Sequence, residues 1–144
     1  MPEKVHVLTF AYRGYTNSTG KPSDTGLEYD AKAIMLLVER IQDGEEGYKD
    51  VFLYGRSLGG AVATYAAMET GKKTWFKGLI LENTFSNVAD AAQSFFPGPL
   101  RPFRHPVLGG RWETAMDIEH VEAPILIVAT EDDAIVSWKQ SEKI

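Results

Sequence analysis

The chain has 144 residues, 44% of them hydrophobic and 11% aromatic, a formal net charge of −5, and no cysteine. That length fits one domain with a core of its own, and the acidic balance excludes a clustered basic surface for nucleic acid. Without cysteine there is no disulfide, no thiolate nucleophile and no thiolate metal site.

Residues Val5 to Tyr12 are β-rich and mostly apolar and read as a first strand. Arg13 to Lys21 carries Gly14, Asn17, Ser18 and Gly20, which is loop chemistry. Thr25 and Glu28 then form a T-x-x-E capping box at the start of a helix. Leu27, Ala31, Ile34, Val38 and Ile41 recur every three or four residues on one face of it, and Asp43-Gly44 ends it. Asp50 to Gly55 reads as a short buried strand, and Gly60 to Met68 as a helix of small side chains stopping near Gly71. Ala63 and Ala67 lie one turn apart, so that helix can press closely on a sheet. Lys77 to Leu81 is another apolar strand, leading into Glu82-Asn83-Thr84-Phe85, and Val88 to Phe96 reads as a short helix.

Four of the seven prolines (Pro97, Pro99, Pro102 and Pro106) then fall within ten residues, with Gly109-Gly110 after them. Such a stretch is not regular structure. The excursion from Pro97 to Trp112, with Phe95 and Phe96 just before it, is either a lid walled by aromatics or a linker whose aromatics pack on the core. Pro124 opens a last strand, Ile125 to Ala129, followed by Glu131-Asp132-Asp133, and Ser137 to Ile144 begins a helix. No apolar run approaches the roughly 20 residues of a bilayer-spanning helix. Met1-Pro2-Glu3-Lys4 lacks the apolar core of a signal peptide.

Strands that alternate with helices and are continuously apolar predict a mostly parallel α/β sheet of about four strands, covered on both faces. Sites in such sheets form beyond the C-terminal ends of the strands. Ser57, Glu82 and Asp133 all fall just past such ends.

The segment Gly55-Arg56-Ser57-Leu58-Gly59-Gly60 fits G-x-S-x-G between a strand and a helix, the context of a nucleophile elbow. Its turn must be sharp to hold the hydroxyl of Ser57 above the sheet, and glycines at 55 and 59 are expected to remove Cβ atoms that would clash there. The backbone N–H of Leu58, next after the nucleophile, is the expected oxyanion donor. A second donor would come from a loop after an earlier strand, and no His-Gly-Gly or His-Gly-Asn sequence occurs before Val5. Asp133 is the expected acid of a triad, preferred over Asp132, with Ile135 and Val136 turning the chain back onto the core. Glu82 is a weaker candidate acid and is expected to anchor its loop instead. The base is missing from its usual place: the chain order is serine, acid, histidine, and no histidine follows Asp133. His6 and His120 fall at the wrong end of the sheet, and His105 lies in the proline-rich excursion.

The segments YRGYTNSTGKPSDTGLEYDAKA, VFLYGRSLGGAVA, LILENTFSNVADAA, Trp112 and PILIVATEDDAIVS, in that order, resemble the membrane-anchored α/β-hydrolase-domain proteins of the bud-emergence type. The resemblance covers nearly the whole chain from Val5 to Ser137. It implies a partial α/β-hydrolase fold with Ser57 as nucleophile, Asp133 as acid, and no metal or organic cofactor. The usual pattern has glycine where Thr16 and Thr130 stand here, an Asp or Ser at Ala11, and a proline at Ser137. The resemblance further implies that early strands, a membrane anchor and a histidine-bearing end are missing from residues 1–144. The opening strand would then pair directly with the nucleophile strand or leave an unpaired edge, which invites aggregation. The expected function is hydrolysis of ester or thioester bonds in lipid or acyl-protein substrates, with little activity in this chain as it stands. Membrane association is expected only through the missing segments, and no nucleic-acid partner is expected. A non-catalytic binding or scaffold domain and a serine peptidase are the alternatives.

Overall fold

The computed structural model describes residues 5–44, 50–91, 112–133 and 135–144. Three parallel strands form one sheet in the order β1 (Val51–Arg56), β2 (Phe76–Glu82), β3 (Ile125–Val128). Tyr54 lies beside Ile80 and Ile80 beside Leu126, so the three C-terminal ends line up on one rim. The helices are α1 (Asp24–Gln42), α2 (Leu58–Thr70), and three four-residue pieces: α3 (Val88–Ala91), α4 (Thr114–Asp117) and α5 (Trp138–Ser141). A 3-10 turn, Ile118–His120, extends α4.

The parallel α/β architecture expected from the sequence is present, with two corrections. First, residues 5–12 form no strand. A strand exists by pairing, and β propensity without a partner does not make one. Val5, Val7, Leu8 and Phe10 are exposed, so the segment gains neither a ladder nor burial. The sheet therefore has three strands among the described residues rather than about four. Second, among these residues the sheet is covered on one face only. Phe52 and Tyr54 of β1 and Leu126 and Val128 of β3 are exposed on the other.

Helix α2 is the centre of the covered side. Ala63 and Ala67 press on Phe76, Leu79 and Leu81 of the sheet, as their one-turn spacing predicts, while Ala61, Val62 and Ala66 meet Leu27, Ala31 and Met35 of α1. Buried on both flanks, α2 has no polar stripe, which is why its sequence carries no amphipathic period. Leu79 and Leu81 are almost wholly enclosed, each worth about 2 kcal/mol of burial.

Helix α1 begins two residues earlier than the T-x-x-E pattern implies. Ser23, not Thr25, is the N-cap, and its hydroxyl accepts from the Gly26 N–H at 3.1 Å. Gly26 also makes room for Arg13: a Cβ there would sit 2.5 Å from Arg13 Cδ. Arg13 crosses the helix start to reach Asp30, with Nη2 and Nε donating to one carboxylate oxygen at 2.8 and 3.1 Å and its own backbone N–H donating to the other at 2.8 Å. The guanidinium holds the Asp30 carboxyl below its ordinary pKa.

Trp112 is the described end of the proline-rich excursion, and it is core. It is 3% exposed, stacks edge-on against Tyr65, and donates Nε1–H to Asp24 at 3.1 Å. The remainder of the excursion, and the end of the helix expected to Phe96, lie outside the described residues.

Thr16 sits where the resembled pattern has glycine, and its φ is +47°. A β-branched residue in the left-handed region is strained. Thr16→Gly should therefore raise the stability by about 1 kcal/mol, read as a higher midpoint in urea unfolding. An unchanged or lower midpoint would mean that the threonine side chain offsets its backbone strain.

Candidate active site

The strand-turn-helix expected around Ser57 is present. Ser57 joins β1 directly to α2 and has φ +52° and ψ −123°, a conformation that costs a non-glycine residue on the order of 1–3 kcal/mol. Its side chain does not cap the helix it precedes, and the residue is partly exposed. Its backbone is held firmly: Ser57 N–H donates to Glu82 O at 3.0 Å, and Ser57 O accepts from the Thr84 hydroxyl at 2.9 Å. A bond on each side of one strained peptide is what keeps it from relaxing.

The glycines have different jobs from those expected. A Cβ on Gly55 would meet Gly59 O at 2.2 Å and Gly60 Cα at 2.7 Å, so Gly55 is required. A Cβ on Gly59 meets only the Tyr12 hydroxyl, at 3.7 Å, which is ordinary contact. The second obligatory glycine is Gly60, whose Cβ would fall 2.3 Å from Thr84 Oγ1 and 2.5 Å from Thr84 Cβ. The doubled Gly59-Gly60 in the sequence was the available signal, and it was attributed to the wrong member of the pair.

Leu58 is the first residue of α2. The N–H groups of a first helical turn have no intrahelical acceptor, and the helix dipole makes that end positive. Its amide lies at that positive end.

Asp133 lies in the loop after β3. Its Oδ1 accepts from the backbone N–H groups of Ile135 at 2.7 Å and Val136 at 2.8 Å. Those two bonds, Val136 first, hold its pKa below the ordinary value, with smaller help from the charge of Arg56 and from Asn83. The same two bonds fix the orientation of the carboxylate. Of the pair expected to turn back onto the core, Val136 is buried and Ile135 is exposed. With β2 between β1 and β3, the ends that carry Ser57 and Asp133 are two strand spacings apart, about 10 Å.

Glu82 does not belong to this rim chemistry. It extends from β2 on the uncovered face, where it accepts a hydrogen bond from the Tyr54 hydroxyl and pairs with Arg56 at 3.6 Å. The bond to Glu82 is the main cause that raises the Tyr54 pKa. His120 ends the 3-10 turn before β3, its Nδ1 lying 3.2 Å from Met116 O, at the opposite end of the sheet from Ser57. His6 is exposed in the opening segment, and His105 lies outside the described residues.

The sequence reading missed Asn83. It is 8% exposed with φ +45°, and its carboxamide reaches Thr130 of the acid loop: Oδ1 accepts from Thr130 N–H at 2.8 Å, and Nδ2 donates to Thr130 Oγ1 at 3.4 Å. The only available signal was a polar pair, Asn83-Thr84, at the end of a buried strand. Among the described residues, no group of three or more His, Asp or Glu is placed to hold a metal ion.

A parallel sheet, a strained serine between strand and helix, and an aspartate beyond a later strand of the same rim define part of the α/β-hydrolase fold. Solved structures agree. An α/β hydrolase from the metagenome of lagoon sediments at Mar Chica, Morocco, superposes with a TM-score of 0.53 at 18% identity, over 81% of this chain and 52% of that one. Among curated proteins, the lysophosphatidylserine lipase ABHD12 of Macaca fascicularis is 33% identical over 150 residues, spanning 96% of this chain and 37% of the lipase. The uncharacterized membrane protein YNL320W of Saccharomyces cerevisiae is 40% identical over 91 residues, 63% of this chain and 31% of that protein. The chain thus spans about a third of the length of the curated relatives it matches. No protein-family model matches it. Among its described residues no helix is long and apolar enough to cross a membrane.

Proposed function

We propose that this chain is the nucleophile- and acid-bearing part of a serine hydrolase that cleaves ester or thioester bonds in lipid or acyl-protein substrates. The observation that supports it most is Ser57 held at φ +52° by bonds on both sides of its backbone, at the start of α2. Strain at a serine hydroxyl has no packing purpose there, and it persists only because the surroundings enforce it. In this reading Ser57 Oγ attacks the acyl carbon, Leu58 N–H receives the developing oxyanion, and Asp133 orients an imidazole supplied from elsewhere. The relative named a lysophosphatidylserine lipase supports a lipid substrate, and the relative named a membrane protein supports action at a membrane. Placement near alpha/beta-hydrolase domain-containing protein thirteen rests on FLYGRSLGG and LENTF.

A second reading, a non-catalytic binding or scaffold domain, is favoured by one observation: His120 lies at the end of the sheet opposite Ser57. Covalent labelling of Ser57 by a fluorophosphonate separates the two. An adduct on that serine supports the hydrolase, and an unlabelled folded chain supports the binding domain.

A further inference from the structure

Resting on that reading, we propose that Asn83 is a positioning residue for the acid, fixing the loop that carries Asp133 to the strand end that holds Ser57. The path is continuous. Glu82 O and the Thr84 hydroxyl grip the two sides of Ser57, so the last residues of β2 and the two that follow define where the serine stands. Between them, Asn83 N–H donates to Val128 O at 2.9 Å, and its carboxamide takes both the amide and the hydroxyl of Thr130. Thr130 O in turn accepts the Asp133 N–H at 3.3 Å.

Two features separate this from a loop contact that merely fills space. Asn83 stands in the left-handed region, where glycine would be free of strain and asparagine is only tolerated. Its side chain is buried, and it satisfies its oxygen and its nitrogen on one residue of another loop. A polar side chain enclosed that way is costly unless both ends are bonded, so its presence is explained by what it holds. Thr130 stands where the resembled motif has glycine, so the hydroxyl that Asn83 reaches belongs to this chain's own version of the loop.

The test uses the 144-residue chain, labelled for NMR, with Asn83→Gly, which keeps the backbone conformation and removes only the carboxamide. Exchange of the Thr130 amide should quicken about five- to tenfold, and the Asp133 carboxyl should titrate closer to an ordinary aspartate. The amides of Ser57 and Leu81 and the melting temperature should hold. Thr130→Val, which keeps the amide and loses the hydroxyl, should move the same signals less. Unaltered Thr130 exchange and Asp133 titration in Asn83→Gly would overturn the proposal. So would a general loosening in which Ser57 and Leu81 exchange as fast as Thr130, if Thr130→Val then leaves the Asp133 titration unmoved. Neither readout needs turnover, so a chain whose Ser57 never labels would sink the hydrolase reading and leave this result to be judged separately.

Discussion

Gly55→Ala should be among the most damaging single substitutions in the chain, lowering stability by about 3 kcal/mol and abolishing reaction at Ser57. The added methyl would lie 2.2 Å from Gly59 O and 2.6 Å from Gly59 C, and both are backbone atoms. A flexible side chain can swing aside, but the first turn of α2 cannot. The turn must open, and in opening it turns the serine away from the rim. Gly59→Ala is the control, since its methyl meets nothing nearer than 3.7 Å. Urea unfolding with both variants checks the claim: a large drop in midpoint for Gly55→Ala and little change for Gly59→Ala. Equal effects would mean that the elbow is not as tight as described.

The second large effect concerns the base. Residues 1–144 alone should hydrolyse acyl esters on the order of 10⁶ more slowly than a chain with all three triad groups. A serine hydroxyl needs a neighbouring base to take its proton, and the residues after Asp133 offer none. The check is an initial-rate comparison on fatty acyl esters and thioesters, between this chain and the same chain continued to a histidine that can reach the gap between Ser57 and Asp133. Recovery in the longer chain is expected. Turnover by residues 1–144 at an ordinary rate of about 1–10³ s⁻¹ would contradict it, and would direct attention to His105 as the base.

The elbow was legible because it is local: strand, glycine, serine and helix lie within about twenty residues, and their steric demands are written in residue size. The short side chains of α2 announced its close approach to the sheet for the same reason. What escaped was long-range. Residues 5–12 have strand composition, yet pairing is decided by a neighbour, and composition does not name one. The uncovered face was hidden by the same logic, since β3 reads Ile-Leu-Ile-Val whether it is buried on both faces or, as found, exposed along its length. The cap read as Thr25 is Ser23, two residues earlier, whose hydroxyl accepts from Gly26 N–H. Asn83 is the sharpest case: its partner Thr130 is 47 residues away, and only folding brings them together.

Prolonged exposure of the folded chain to a fluorophosphonate, followed by peptide mass spectrometry, tests the central claim that the strained turn presents Ser57 as a nucleophile. With no neighbouring base to take its proton, Ser57 should react slowly, and the account predicts a single adduct on it that disappears in Ser57→Ala and on unfolding in urea. A folded protein that carries no adduct there, or one labelled equally at Ser18, Ser86 and Ser137, would contradict it.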